Sequence, residues 1–127
     1  MASGPLIAID FDGTCVTHEY PYIGSDIGAV PVLKELTGAG CRLLLYTMRS
    51  GKLEREAVDW FKKNGIPLTY VNCNPEQKSW TQSVKPYADL YIDDGALGCP
   101  LTCSDISNRP YVDWGRVREW LVKQGYI

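Results

Sequence analysis

The sequence predicts an α/β protein in three layers, built on a parallel sheet. Three observations carry this. Leu6-Ile7-Ala8-Ile9 is a continuous apolar run that reads as a strand buried on both faces, Cys41 to Tyr46 reads as a second buried strand, and Leu68 to Val71 and Ala88 to Ile92 read as a third and fourth. Helix-like stretches alternate with them. The order β-α-β-α-β-(α)-β-α then demands crossover connections, hence parallel strands covered by helices on both sides.

The elements follow in turn. The first strand stops at Asp10, and the Gly- and Pro-punctuated stretch Thr17 to Gly28 reads as loop or hairpin. Pro31 suits a first helical turn, Val30, Leu33 and Leu36 mark an apolar stripe, and Gly38 and Gly40 end that helix. The second strand closes at Thr47. Leu53, Ala57, Trp60 and Phe61 recur at helical spacing before Asn64-Gly65 closes the second helix. Asn72 to Pro86 is polar and reads as loop with a helical turn. The fourth strand is halted by Asp93-Asp94-Gly95. A long Gly/Pro-containing loop leads to a final helix with Asp113 as N-cap and Trp114, Val117 and Leu121 on one face.

Composition narrows the classes. A length of 127 residues fits one domain, spanning 1-127. Hydrophobic residues at 45% and charged residues at 22% give an ordinary globular balance, against disorder or fibrous repeats. Thirteen Lys+Arg against fifteen Asp+Glu leave a formal charge of −2, so no basic field supports nucleic-acid or membrane binding. No apolar run is long enough to span a bilayer, and Met1-Ala2-Ser3-Gly4-Pro5 lacks the pattern of a secretory leader. A cytoplasmic protein is expected. Cys15, Cys41, Cys73, Cys99 and Cys103 are an odd set read as free thiols, and a single histidine argues against structural zinc. Trp60, Trp80, Trp114 and Trp120 would supply aromatic surface for a homo-oligomer if exposed.

Ligands of open parallel sheets bind beyond the carboxyl ends of the strands, where this sequence keeps its polar residues. Asp10 and Asp12 follow the first strand, Thr47 the second, Asp93 and Asp94 the fourth. Carboxylates meeting at one edge repel one another unless a cation sits among them. Oxygen ligands suit a hard divalent cation, and Mg²⁺ leaves coordination positions for water and a phosphate.

Asp10-Phe11-Asp12-Gly13-Thr14 after an apolar strand resembles the first motif, DxDGT, of the haloacid dehalogenase (HAD) superfamily. Thr47, closing Leu43-Leu44-Leu45-Tyr46, is similar to its second motif, and Asp93-Asp94 to its acidic fourth. The resemblance covers roughly residues 6 to 98 in the expected order. For the lysine of the third motif, Lys85 in Lys85-Pro86 is favoured, with Lys78 as the rival.

The resemblance implies a Rossmann-like HAD fold and a Mg²⁺-dependent phosphomonoesterase. Asp10 would be the nucleophile, forming an aspartyl-phosphate, and Asp12 the general acid and then base. Metal ligation would fall to Asp10, Asp12 through its backbone carbonyl, Asp94 directly, and Asp93 through a water. Thr47 would donate to a phosphoryl oxygen, Lys85 would offset charge, and Gly13 would let the backbone approach the phosphate. Arg49 would reach a second anionic group of the substrate or stand in solvent. His18 lies in the segment matching the family's flap, as a leaving-group contact or a loop histidine without a role.

The intervals Thr14 to Thr47 and Thr47 to Lys85 leave no room for an inserted cap, as in capless members whose open site suits bulky phosphoesters. One departure stands out: no carboxylate lies within four residues after Asp94, where Gly95-Ala96-Leu97-Gly98 stands. The alternatives are a non-catalytic protein that binds a phosphorylated ligand, and a receiver-like phospho-acceptor domain. A receiver places its acid pair first and a lysine last, the reverse of this chain.

Overall fold

A computed structural model describes residues 4–127; Met1-Ala2-Ser3, part of the start read against a secretory leader, lies outside the described residues. The elements are β1 (Leu6–Ile9), α1 (Ala29–Gly38), β2 (Arg42–Leu45), α2 (Gly51–Lys63), β3 (Tyr70–Val71), a 3-10 turn (Pro75–Ser79), β4 (Leu90–Ile92), β5 (Leu101–Thr102), β6 (Tyr111–Val112) and α3 (Trp114–Lys123). Strands β3-β2-β1-β4 form one parallel sheet in that order. The result is a three-layer, Rossmann-like α/β arrangement, as the alternation of apolar runs and amphipathic stretches predicts.

The strands are short because the shared ladder is short. Ile9 lies abreast of Leu45 and of Ile92, and Val71 lies abreast of Leu45. The flanking apolar residues Cys41, Leu68 and Ala88 run on beyond the pairing, so the predicted strands are trimmed at their N-terminal ends.

Alternation along the strands sorts the core into two faces. Ile7, Ile9, Leu43, Leu45 and Ile92 face a cluster that takes in Leu33 and Leu36 of α1, Ala57 and Phe61 of α2, and Val117 and Leu121 of α3. Leu6, Ala8 and Leu44 face the other way, against Ala88, Tyr70 and Tyr91. All three α-helices therefore cover one face. The expectation of helices on both sides is corrected: the second face is closed by the segment between β3 and β4, with its single 3-10 turn. Gln77, buried in that turn, holds the segment in shape by donating to the carbonyls of Ser83 and Lys85 and accepting from Tyr87 N–H at 2.7 Å.

Two further details bear on the site. The long loop before α3 contains an antiparallel ribbon of β5 and β6 that the sequence pattern did not predict. Asp113 caps α3 as expected, accepting from Arg116 N–H, and the Trp114 indole N–H then donates to the Thr14 carbonyl at 2.7 Å. The last helix is thereby pinned to the loop that follows β1. All five cysteines are free, with Cys15 and Cys41 buried. Among the described residues no helix is long and apolar enough to cross a membrane.

Candidate active site

The register of the sheet builds the site. Ile9, Leu45 and Ile92 end level with one another, so the next residue of each strand emerges at one edge. Asp10 N–H donates to Ile92 carbonyl at 3.0 Å, and Tyr46 N–H to Ile9 carbonyl at 2.8 Å. Asp10, Asp93 and Asp94 meet there, each offering an oxygen within 4.8 Å of the others. Asp12 does not join them.

Thr14 fastens the cluster. Its buried hydroxyl donates to Asp10 Oδ2 at 2.7 Å and accepts from Asp94 N–H at 3.0 Å, joining residues eighty positions apart. Sequence reasoning quoted Thr14 within the motif and gave it no role. The turn that brings it round requires Gly13, whose φ is 84°. A Cβ on Gly13 would lie 2.4 Å from Asp94 Oδ2. Beyond the expected close approach of backbone to a phosphate, Gly13 makes room for Asp94.

The electrostatics follow from burial and crowding. Burial, with the charges of Asp93 and Asp94 adding to it, pushes Asp10 from an ordinary 3.8 up to about 8, against the lowering effect of the Thr14 hydroxyl. Burial also raises Asp93, opposed by the N–H of Gly95. Three carboxylates whose oxygens lie within 4.8 Å of one another and offer only hard oxygen donors fit a divalent cation. The donor chemistry selects a hard cation as a class rather than one element.

Arg49 departs most from expectation. It was read as reaching a substrate anion or standing in solvent, yet it is 2% exposed. Nε and Nη2 clasp Asp12 Oδ2 and Oδ1 at 2.8 Å each. Nη1 donates to the carbonyls of Pro21 and Leu53, and Nη2 also to that of Tyr22. A guanidinium has five N–H donors, and all five are spent inside the protein. Its central carbon sits 5.1 Å from the Phe11 ring centre and 5.3 Å from that of Tyr20. Arg49 thus ties the loop that follows β2 to Asp12 and to the Tyr20–Tyr22 segment.

The remaining predicted residues sit around this centre. Thr47 N–H donates to Asn72 Oδ1 at 2.8 Å, and its hydroxyl oxygen accepts from Arg49 N–H at 3.1 Å. Asn72, in the left-handed region at φ 55°, also donates to Glu54, so it clamps the loop after β2 to the start of α2. Sequence reasoning missed Asn72; its signal was a polar residue closing the third strand. Lys85 is exposed, its Nζ 5.2 Å from the centre of the Tyr91 ring, and Lys78 closes the 3-10 turn. Among the described residues, no ion pair joins either lysine to the acid cluster. His18 is half-buried in the segment after Thr17.

Together, the parallel sheet and the carboxylates at its C-terminal edge define an α/β protein with an acidic, cation-fitting site. No protein-family profile matches the chain, and no curated protein matches it. Among solved structures it is similar to the conserved protein coded by a locus of Bacteroides thetaiotaomicron, at 37% identity and a TM-score of 0.75, over 96% of this chain and 92% of that one. At that identity and coverage the chain belongs to the same family as that conserved bacterial protein.

Proposed function

We propose that the protein is a Mg²⁺-dependent phosphomonoester hydrolase of the haloacid dehalogenase type, with Asp10 as nucleophile. The observation that carries this is the setting of Asp10: it directly follows β1, accepts from the Thr14 hydroxyl, and shares its space with Asp93 and Asp94. Those three carboxylates and the Asp12 main-chain carbonyl would hold the cation. When bound, Mg²⁺ supplies positive charge that offsets the carboxylates and the phosphoryl oxygens.

The protein's own groups perform the chemistry. An Asp10 oxygen attacks phosphorus in line; the new O–P bond forms as the ester O–P bond breaks, and Asp12 gives its proton to the departing alkoxide. Asp12 then takes a proton from water as the water oxygen bonds to phosphorus. The Asp10–phosphorus bond breaks, and inorganic phosphate leaves. Both oxygens of the Asp12 carboxylate are held by Arg49, so Asp12 acts as the acid after one Arg49–Asp12 bond has given way to a proton taken from solvent water. Thr47 accepts from Arg49 N–H, which leaves its hydroxyl proton to donate to a phosphoryl oxygen. Lys85, whose Nζ stands over the Tyr91 ring, would leave that ring to offset charge on the transferring group. Five free cysteines accord with a cytoplasmic setting.

The test is phosphate release from phosphorylated metabolites, p-nitrophenyl phosphate and 3′- or 5′-phosphorylated oligonucleotides, with Mg²⁺ and with EDTA. Wild type releases phosphate only with the metal, and Asp10→Asn releases none. Substantial turnover by Asp10→Asn, or turnover indifferent to EDTA, overturns the proposal.

A further inference from the structure

Asn72 follows β3 in a conformation that side chains rarely adopt. Its φ is 55°, and among the described residues it alone holds a positive φ without being glycine. Glycine takes such a turn freely, so what asparagine adds here is its side chain.

That side chain and its own main chain grip the neighbouring strand at successive points. Asn72 N–H donates to the Leu45 carbonyl at 2.7 Å, Oδ1 accepts from Thr47 N–H at 2.8 Å, and Nδ2 donates to Glu54 Oε2 at 2.9 Å. Leu45 ends β2, Thr47 lies two residues on, and Glu54 stands in the first turn of α2. The amide has one orientation, because a carboxylate only accepts: Glu54 takes the Nδ2 side and leaves Oδ1 aimed at Thr47.

Thr47 is left with one group to offer an anion. Its N–H is taken by Asn72, and its hydroxyl oxygen accepts from Arg49 N–H at 3.1 Å, so the hydroxyl proton remains. Where that proton points depends on how the main chain of Thr47 is held. Tyr46 N–H is tied to Ile9 and Arg49 is buried, but Met48 between Thr47 and Arg49 is 96% exposed. Packing does not set Thr47; the Asn72 bond does.

We propose that Asn72 is a positioning residue for phosphoryl transfer, acting through Thr47 to aim its hydroxyl at a phosphoryl oxygen. The inference rests on the phosphatase reading and adds to it a residue that follows β3, the one strand of the sheet from which no other site residue comes.

The experiment is steady-state hydrolysis of p-nitrophenyl phosphate with Mg²⁺ by wild type, Asn72→Gly, Thr47→Ala and the double variant, each checked by a thermal melt. Glycine keeps the backbone conformation and removes both side-chain bonds. Asn72→Gly should lower kcat/KM roughly ten- to a hundredfold, the scale of a hydrogen bond to a charged group. In the Thr47→Ala background the same change should cost about twofold or less, because the hydroxyl it aims is absent. Support of the fold alone would cost as much in either background. An unchanged kcat/KM in Asn72→Gly, or equal losses in both backgrounds, overturns the positioning role while the phosphatase reading stands. If Asn72→Gly does not fold, Glu54→Ala, which frees the amide to turn over, is measured in the same two backgrounds. A loss confined to the background with the hydroxyl then supports the role, and an equal or absent loss overturns it. Absence of phosphate release by wild type overturns both readings.

Discussion

Replacing Arg49 with Met isolates the contribution of the buried guanidinium. The change keeps a long apolar stem against Phe11 and removes all five donors. Asp12, whose side chain is only 11% exposed, loses both partners, and the carbonyls of Pro21, Tyr22 and Leu53 lose theirs. Removing one partner of a buried pair costs about 3–5 kcal/mol, because the remaining charge stays desolvated and uncompensated. Unfolding entropy of about 2 cal/mol/K per residue makes 1 kcal/mol worth about 4 °C in a chain of this length, so Tm should fall roughly 12–20 °C. Urea unfolding and calorimetry of Arg49→Met measure the loss. The cycle completed by Asp12→Asn and the double variant should show a coupling energy of about 1–3 kcal/mol, since the double variant carries neither stranded charge. A loss below about 1 kcal/mol for Arg49→Met, or additive single effects, would show that the clasp is not what holds this loop, and the reasoning would fail.

The remaining predictions concern the acid cluster. Asp10 stands at about 8 in the fold against an ordinary 3.8, so the native chain holds that proton more tightly than the unfolded one. Its contribution to stability is whole below about pH 4 and is lost as pH rises through about 8; in EDTA, Tm should drop over that window, and millimolar Mg²⁺ should flatten the profile. An EDTA profile with no downward trend contradicts the crowding. Gly13→Ala meets both a φ of 84° and an Asp94 oxygen 2.4 Å from the new Cβ. It should cost about 1–3 kcal/mol in strain and, by turning Asp94 aside, shrink the Mg²⁺-induced rise in Tm; an unaltered rise would show that Asp94 is not needed for the cation.

Where sequence reasoning succeeded and where it stopped has a physical pattern. Leu6–Ile9 was legible because a strand buried on both faces must be apolar throughout, Arg42–Leu45 and Leu90–Ile92 because they are largely apolar, and Asp10, Asp93 and Asp94 stand where the first and last of these strands end. Parallel pairing then forces the three acids to one edge. Periodicity is silent about side chains that find partners across the fold. Arg49 meets Asp12 thirty-seven residues away, and nothing local to an arginine after a strand says whether it is solvated or clasped. Its one clue was arithmetic: a fourth acid beside a crowded three needs a cation of its own. The β5–β6 ribbon escaped because two-residue strands have no period to detect. The cover of the second sheet face escaped because it rests on Gln77 hydrogen bonds rather than on an apolar stripe.

The central claim is that Asp10 carries the phosphoryl group, and trapping that group tests it most directly. Asp12→Asn should slow hydrolysis of the acyl phosphate while leaving the nucleophile in place. This variant is mixed with p-nitrophenyl phosphate and Mg²⁺, quenched in acid, and reduced with borohydride, which converts an aspartyl-phosphate to homoserine. Peptide mass spectrometry should find homoserine at position 10, and none at that position in Asp10→Asn treated alike. Phosphate release by the wild type, together with an adduct at another residue or with no adduct in Asp12→Asn under conditions where it turns over substrate, would contradict the account.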